Sequence, residues 1–363
     1  MPYSVVDKPS KYFTAKLHTG TGSAQSITGL EFAPKFTWIK DRTSANNPRL
    51  YDIIRGATVE LYPSLTEGDT TQAQSLTSFN SDGFSVGTLA QVNTNGNNYV
   101  SWNWRGSDSS AVSNTAGTIT STVSANTTSG FSIVSYTGTS NDNETVGHGL
   151  GVAPSMIIIK NRSVSANWSV LHTSAGLTGS TLDGSSEYYM LLLNDTGARA
   201  NVSEDNIWQP TSTTFKINNT GAGTQVNGSG NSMIAYCFAD VKGYSKFGSY
   251  TGNGSTDGTF SYTGFRPAFL MLKRTDTTGS WQMYDNKRDT YNPEISRLGA
   301  NLSSEESTSA SIYIDFLSNG FKMRNSTADW NASGGTYIYM CFAEQPFTSS
   351  KGIVANARWF GLF

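Results

Sequence analysis

Three stretches decide the fold: Pro34-Lys-Phe-Thr-Trp-Ile-Lys40, Pro154-Ser-Met-Ile-Ile-Ile-Lys160 and Pro267-Ala-Phe-Leu-Met-Leu-Lys273. Each is a proline, a short apolar run and a lysine six positions on. Eight residues past each lysine stands Pro48, Trp168 or Trp281, and twelve past it Asp52, His172 or Asp285. These nineteen positions align without a gap. Self-similarity at a fixed period is the mark of a repeated structural unit. The flanks agree. Upstream lie Thr19-Gly20, Thr137-Gly138 and Thr251-Gly252, then Gly29-Leu30, Gly149-Leu150 and Gly264-Phe265. Downstream, Asp82-Gly83-Phe84 matches Asn319-Gly320-Phe321, with Phe215 as a weaker counterpart. Each copy closes on an apolar stretch: Tyr99 to Trp104, Met233 to Phe238 and Tyr337 to Phe342. The period of about 115–120 residues is the size of an ordinary domain.

The reading from this pattern is an all-β chain of three tandem β-sandwich or jelly-roll-like domains. Apolar runs are four to eight residues long, rich in Ile, Tyr, Phe and Val, and bounded by Gly, Asn, Asp, Ser and Thr. Asp-Gly and Asn-Gly turn signals recur at Asp82, Asp183, Asn227, Asn253, Asp257 and Asn319. The closing stretches are apolar on nearly every residue, as a strand buried on both faces would be. A short helix is expected between Glu60 and Ser78. The expected boundaries are a first repeat domain at 1–107, a linker or edge strand at 108–130, a second domain at 131–242 and a third at 243–347. An apolar docking tail follows at 348–363.

Composition narrows function by exclusion. Of 363 residues 37% are hydrophobic, 12% aromatic and only 14% charged, and Ser, Thr and Asn together make about a third. Eight Trp, 17 Tyr and 18 Phe are too much apolar area to leave in water, so disorder is not expected. A net charge of −2 leaves no basic footprint for nucleic acid. Three His and two Cys do not make a zinc cluster of the usual spacing. No long apolar run spans a membrane, and no signal peptide is expected at Met1-Pro-Tyr-Ser. Cys237 and Cys341 occupy one position in two copies, so they are expected as separate buried thiols.

No residue constellation reads as catalytic. Glu305-Glu306 is an adjacent acidic pair set among Ser and Thr, and none of His18, His148 and His172 has a nucleophile or metal partner near it in sequence. Catalytic, metal and cofactor sites are therefore expected to be absent. Lys40, Lys160 and Lys273 read as edge lysines whose stems cover apolar surface while the amines reach water. Trp168 and Trp281, with Tyr284 and Asp285, are the glycan-binding candidates, because pyranose faces stack on aromatic rings and sugar hydroxyls need polar partners. Core packing is the competing role, and the commoner one. Trp359, Phe360, Leu362 and Phe363 read as an assembly tail that docks on a neighbouring subunit or another protein, with folding back on the third domain as the competing role.

Several blocks together resemble a known family. Phe36-Thr-Trp-Ile-Lys-Asp-Arg42, Tyr51-Asp-Ile-Ile-Arg-Gly56, Ser78-Phe-Asn-Ser-Asp-Gly-Phe84 and Tyr99-Val-Ser-Trp-Asn-Trp-Arg105 are similar to a repeated β-module of tailed phages, marine and cyanobacterial ones in particular. Tyr244 to Gly254 and Asp315 to Phe321 look like its later copies, and the resemblance covers about residues 10–347. The second copy departs most, lacking Arg-Gly after His172 and Asp-Gly before Phe215. Such modules occur in virion structural and tail-fibre-like proteins. The resemblance implies a non-enzymatic virion structural protein, a tail fibre or exterior appendage contacting the host surface. A capsid decoration or tail-collar protein is the second reading, and a tailspike carbohydrate-active enzyme the third. The implied partners are other virion proteins, further copies of the chain in a homo-oligomer such as a trimer, and a host surface glycan. The implied location is the virion exterior, with no nucleic acid bound and no membrane insertion.

Overall fold

A computed structural model describes residues 4–174, 189–202, 208–219, 221, 225–309 and 311–344. The first of three segments contains Phe13–Thr19 (β1), Gln25–Thr28 (β2), Phe36–Asp41 (β3), Arg49–Asp52 (β4), Gly56–Leu61 (β5), Thr70–Thr71 (β6), Leu76–Asn80 (β7), Gly83–Val86 (β8), a helical turn Ala90–Asn93 (α1) and Asn98–Trp104 (β9). The second contains Val112–Asn114 (β10), Ser121–Asn126 (β11), Phe131–Thr137 (β12), Glu144–Gly147 (β13), Met156–Asn161 (β14), Ser169–His172 (β15), Tyr189–Leu192 (β16), Ala200–Asn201 (β17), Thr214–Ile217 (β18) and Ser232–Phe238 (β19). The third contains Ser245–Thr251 (β20), Phe260–Tyr262 (β21), Pro267–Arg274 (β22), Gln282–Asp285 (β23), Ser296–Gly299 (β24), Ser307–Thr308 (β25), Ile314–Leu317 (β26), Gly320–Met323 (β27), a turn Ala328–Asn331 (α2) and Thr336–Ala343 (β28).

Each segment folds into one large antiparallel sheet and one small one. The large sheets run β1-β9-β3-β4-β5-β6, β12-β19-β14-β15-β16-β17 and β20-β28-β22-β23-β24-β25. In each, the strand carrying the recurrent lysine lies beside the closing strand. Register agrees to the residue: Lys40 faces Val100, Lys160 faces Ile234 and Lys273 faces Ile338. The small sheets, β2-β8-β7, β13-β18 and β21-β27-β26, cover the outer faces. The recurrent Thr-Gly pairs have a steric cause. A Cβ on Gly20, Gly138 or Gly252 would lie about 2.1, 2.3 and 2.2 Å from the carbonyl oxygens of Thr94, Gly228 and Ala332. Only glycine allows that approach.

The central strands are buried on both faces, as their composition requires, and the two faces serve different cores. Ile39, Ile157 and Ile159, and Leu270 and Leu272 point into three separate outer cores beneath the small sheets. Their neighbours Trp38, Met156, Ile158, Phe269 and Met271 point the other way, into one inner core shared by all three large sheets. This is the period-two alternation of a strand, used twice. At its centre Trp104, Phe238 and Phe342, which hold the same place in the three closing strands, form a triangle. Their ring centroids are 6.3, 6.2 and 5.8 Å apart, within the range of favourable aromatic pairs.

Three expectations change. Residues 60–78 form strands β5, β6 and β7 in place of a helix; the helical turn lies later, at Ala90–Asn93. Residues 108–130 contain β10 and β11, which extend the second large sheet beyond β12, with β10 at the edge and β11 inside. The three lysine amines do not reach water, since Lys40, Lys160 and Lys273 are at most 1% exposed. Cys237 and Cys341 are free and buried, each in its own outer core.

Candidate functional site

The polar side chains that recur in the sequence converge on three seams where one large sheet meets the next. Lys160 donates to the Thr66 carbonyl at 2.7 Å, Lys273 to the Thr196 carbonyl at 3.1 Å and Lys40 to the Ser303 carbonyl at 3.0 Å. Each lysine thus reaches into the segment before it, and the first reaches into the third, so the contacts close in a cycle. Burial draws all three amines down to about 8. Two residues further along, the backbone repeats the cycle: the Arg42, Arg162 and Thr275 carbonyls accept from the N–H groups of Glu306, Asp69 and Arg199. Arg42 also grips Glu306 through Nε and Nη2, at 2.9 and 2.6 Å, and Arg162 Nε donates to Asp69 at 2.6 Å.

The position twelve residues past each lysine lies deeper in the same seams. Asp52 accepts from Tyr236 Oη at 2.8 Å, and Asp285 from Trp102 Nε1 at 3.1 Å. Each carboxylate is also held by the arginine three residues on, Arg55 or Arg288, all four side chains being fully buried. That pairing accounts for the Asp-x-x-Arg pattern: a buried carboxylate needs a counter-charge and hydrogen bonds. In β28 the residue that holds the register place of Tyr236 and Trp102 is Met340, which has no donor. In the second segment His172 replaces the aspartate. Its Nδ1 accepts from the Ser174 N–H at 3.1 Å, so Nε2 carries the proton and donates to the Tyr339 carbonyl at 3.0 Å. Burial draws His172 down to about 4, keeping it neutral.

The glycan-binding candidates lie inside this framework and present no ring face to solvent. Trp168, Trp281, Tyr284 and Asp285 are at most 1% exposed. Trp168 and Trp281 fill the inner core, with their indole N–H groups donating to the carbonyls of Tyr62 and Leu192 across two seams, at 2.8 and 2.9 Å. Tyr284 belongs to the third outer core. The structure therefore moves all four from a ligand platform to the interior. The tail residues Trp359, Phe360, Leu362 and Phe363 lie outside the described residues.

Other polar groups group less regularly. Glu60 is buried and accepts from Tyr51, Tyr62 and Ser75, with Arg49 at 3.4 Å. Glu294 is buried and, among the described residues, without a hydrogen-bond partner for its carboxyl oxygens; burial with Asp289 and Asp285 nearby pushes it up to about 9. Asn93, Asn227 and Asn331 are equivalent buried caps, each accepting a backbone N–H from the turn after β1, β12 or β20, at Thr21, Thr139 and Asn253. The Asn-Gly reading of a turn at Asn227 missed this role. Among the described residues no group of three His, Cys, Asp or Glu side chains could hold a metal ion, and no helix is long and apolar enough to cross a membrane. A cleft of about 450 Å³ opens where the first segment meets the third, beside β1.

A family model described as "Domain of unknown function (DUF7483)" matches residues 8–346. No curated protein and no solved structure matches the chain.

Proposed function

We propose that this chain, which belongs to the DUF7483 family, is one β-module in triplicate, closed into a pseudo-threefold body that serves as a non-enzymatic virion structural part. The favoured role is a tail fibre or other exterior appendage that contacts the host surface. The observation that carries the structural half of this reading is the cycle of seams. The side chains with most chemical capacity, Lys40, Lys160, Lys273, Asp52, Asp285 and His172, are buried and engaged in joining one segment to the next. A body so joined is a rigid spacer that presents loops. The virion half rests on the sequence blocks from Phe36 to Arg105 and their later copies. The weakly charged, Ser/Thr/Asn-rich composition suits an exterior particle component, because few charges means little salt-dependent sticking.

The test is immunogold labelling of particles from a host that carries the gene, paired with binding of purified protein to host cells and to a glycan array. Label at a tail tip or fibre together with cell binding is the expected result. Label on the capsid shell or collar without cell binding supports the decoration or collar reading. Release of reducing sugar from host polysaccharide, abolished by one Asp or Glu substitution, supports the tailspike reading. Absence of label from the particle overturns the proposal.

A further inference from the structure

Three strands hold the same place at the outer edge of the large sheets: β1, β12 and β20. An edge strand presents unpaired N–H and C=O groups to any strand that can reach it. The three edges are treated differently. β12 is covered by β11, with Ser124 opposite Ile133 and Thr122 opposite Ser135. β11 lies against the turn at Gly149, where a Cβ would meet Val123 and Ala125. β20 is capped by side chains: the Phe247 N–H donates to Asp240 at 2.7 Å and its carbonyl accepts from Ser174 at 3.0 Å. β1 has a side-chain cap only at its far end, where Gln25 donates to the Thr19 carbonyl; at Phe13, Ala15 and Leu17 it has neither device among the described residues. Arg105 N–H bonds to the Tyr12 carbonyl, so residues 14, 16 and 18 face β9 and the backbone groups of Phe13, Ala15 and Leu17 point outward.

The cleft lies on that bare edge. It is lined by β1 from Phe13 to Leu17, by the Gly29–Glu31 turn, and by Ala268, Lys287 and Glu344. Phe13 to Leu17 correspond by register to Phe131 to Ser135, the residues that β11 covers. Gly29 corresponds to Gly149. The cleft is therefore the first segment's version of the slot that β11 fills in the second.

What could fill it follows from the chain's path. β11 is reached from Gly106, two residues past the end of β9. The equivalent exit from the third segment is Glu344, which lines the cleft. Ser121, the start of β11, comes fifteen residues after Gly106, and Trp359 comes fifteen after Glu344. We propose that Trp359-Phe360-Gly361-Leu362-Phe363 of the same chain adds to β1 as an antiparallel strand in this cleft, as β11 adds to β12. The register then sets Phe360 opposite Leu17 and Leu362 opposite Ala15. Main-chain hydrogen bonds supply the pairing, and Leu17, Leu30 and Ala268, the apolar part of a mixed cleft wall, receive alternate side chains. This rests on the equivalence of the three segments and not on the virion reading, which its failure would leave untouched.

Two measurements on the full chain test it. Hydrogen exchange should show the amides of Phe13, Ala15 and Leu17 protected, and removal of residues 353–363 should speed them at least tenfold while β20 amides change little. In the second, Leu17→Cys combined with Phe360→Cys should form a disulfide that leaves the protein monomeric on a non-reducing gel. The mismatched pair Leu17→Cys with Leu362→Cys should not. A disulfide found only between chains overturns the assignment to the same chain. Failure to form the disulfide, or equal exchange of β1 with and without residues 353–363, overturns the proposal.

Discussion

Glu294 shows how a single residue can tie stability to pH. Its carboxyl sits near 9 in the fold against an ordinary value of 4.5, because burial and two neighbouring aspartates disfavour the anion. A raised carboxyl means that the folded state holds a proton the unfolded chain releases. The stability is whole below about pH 4.5 and is lost progressively as pH rises toward 9. Glu294→Gln keeps the shape and removes the proton. Its urea midpoint, measured against the parent, should therefore improve steadily from pH 5 to pH 8.5. A difference that stays flat across that range would show that Glu294 ionises as readily in the fold as in water. The buried histidines work in the opposite sense. His18 and His172 are both drawn down to about 4 by burial, so protonating them opposes folding as pH falls from 6.5 toward 4.

Elements are matched to one another across the seams, and the match is chemical. Where the closing strand offers a hydroxyl or indole N–H, at Tyr236 or Trp102, the facing strand ends in an aspartate with an arginine three residues on. Where β28 offers Met340, β15 ends in His172 and donates to the strand's backbone instead. His172→Asp should place a carboxylate in a buried seam with neither the cross-seam donor nor the arginine that Asp52 and Asp285 have, at a cost of about 3–5 kcal/mol. Adding Met340→Tyr supplies a hydroxyl like that of Tyr236 and should recover part of the loss. A double-mutant cycle by urea unfolding should give a favourable coupling of about 0.5–3 kcal/mol. Coupling near zero would mean the two positions do not face each other.

At the scale of the whole molecule, the inner core makes the three segments one unit. Trp38, Trp102, Trp104, Phe238, Phe269 and Phe342 all contribute to it, so no segment can leave without exposing the others. Heat unfolding should be a single transition whose calorimetric and van't Hoff enthalpies agree; three independent domains would give a ratio near three. Residues 243–347 alone would expose the inner faces of β22 and β28. They should self-associate, with a trimer as the arrangement that rebuilds the core. A soluble monomer with a sharp unfolding transition would count against the shared core.

The all-β class, the strands around Lys40, Lys160 and Lys273, the double-sided burial of the closing strands and the separate thiols were all legible in the sequence. Each follows from local pattern: the spacing of apolar residues sets which side chains share a face, and turn residues set where strands stop. Two-sidedness was legible, but the partner on each side was not. Tyr99 to Trp104 is apolar along its length whether its second face meets a small sheet, a ligand or another copy of itself. Only the tertiary arrangement assigned Trp104 to a triangle with Phe238 and Phe342. It also took Trp168, Trp281, Tyr284 and Asp285 out of solvent and brought Lys40 against Ser303, 263 positions away. The sequence by itself determined which residues recur and that they lie on strands. The tertiary structure decided that Lys40, Lys160 and Lys273 each reach a carbonyl in another segment. A contact between segments is set by where whole sheets pack, and no periodicity within one segment records it.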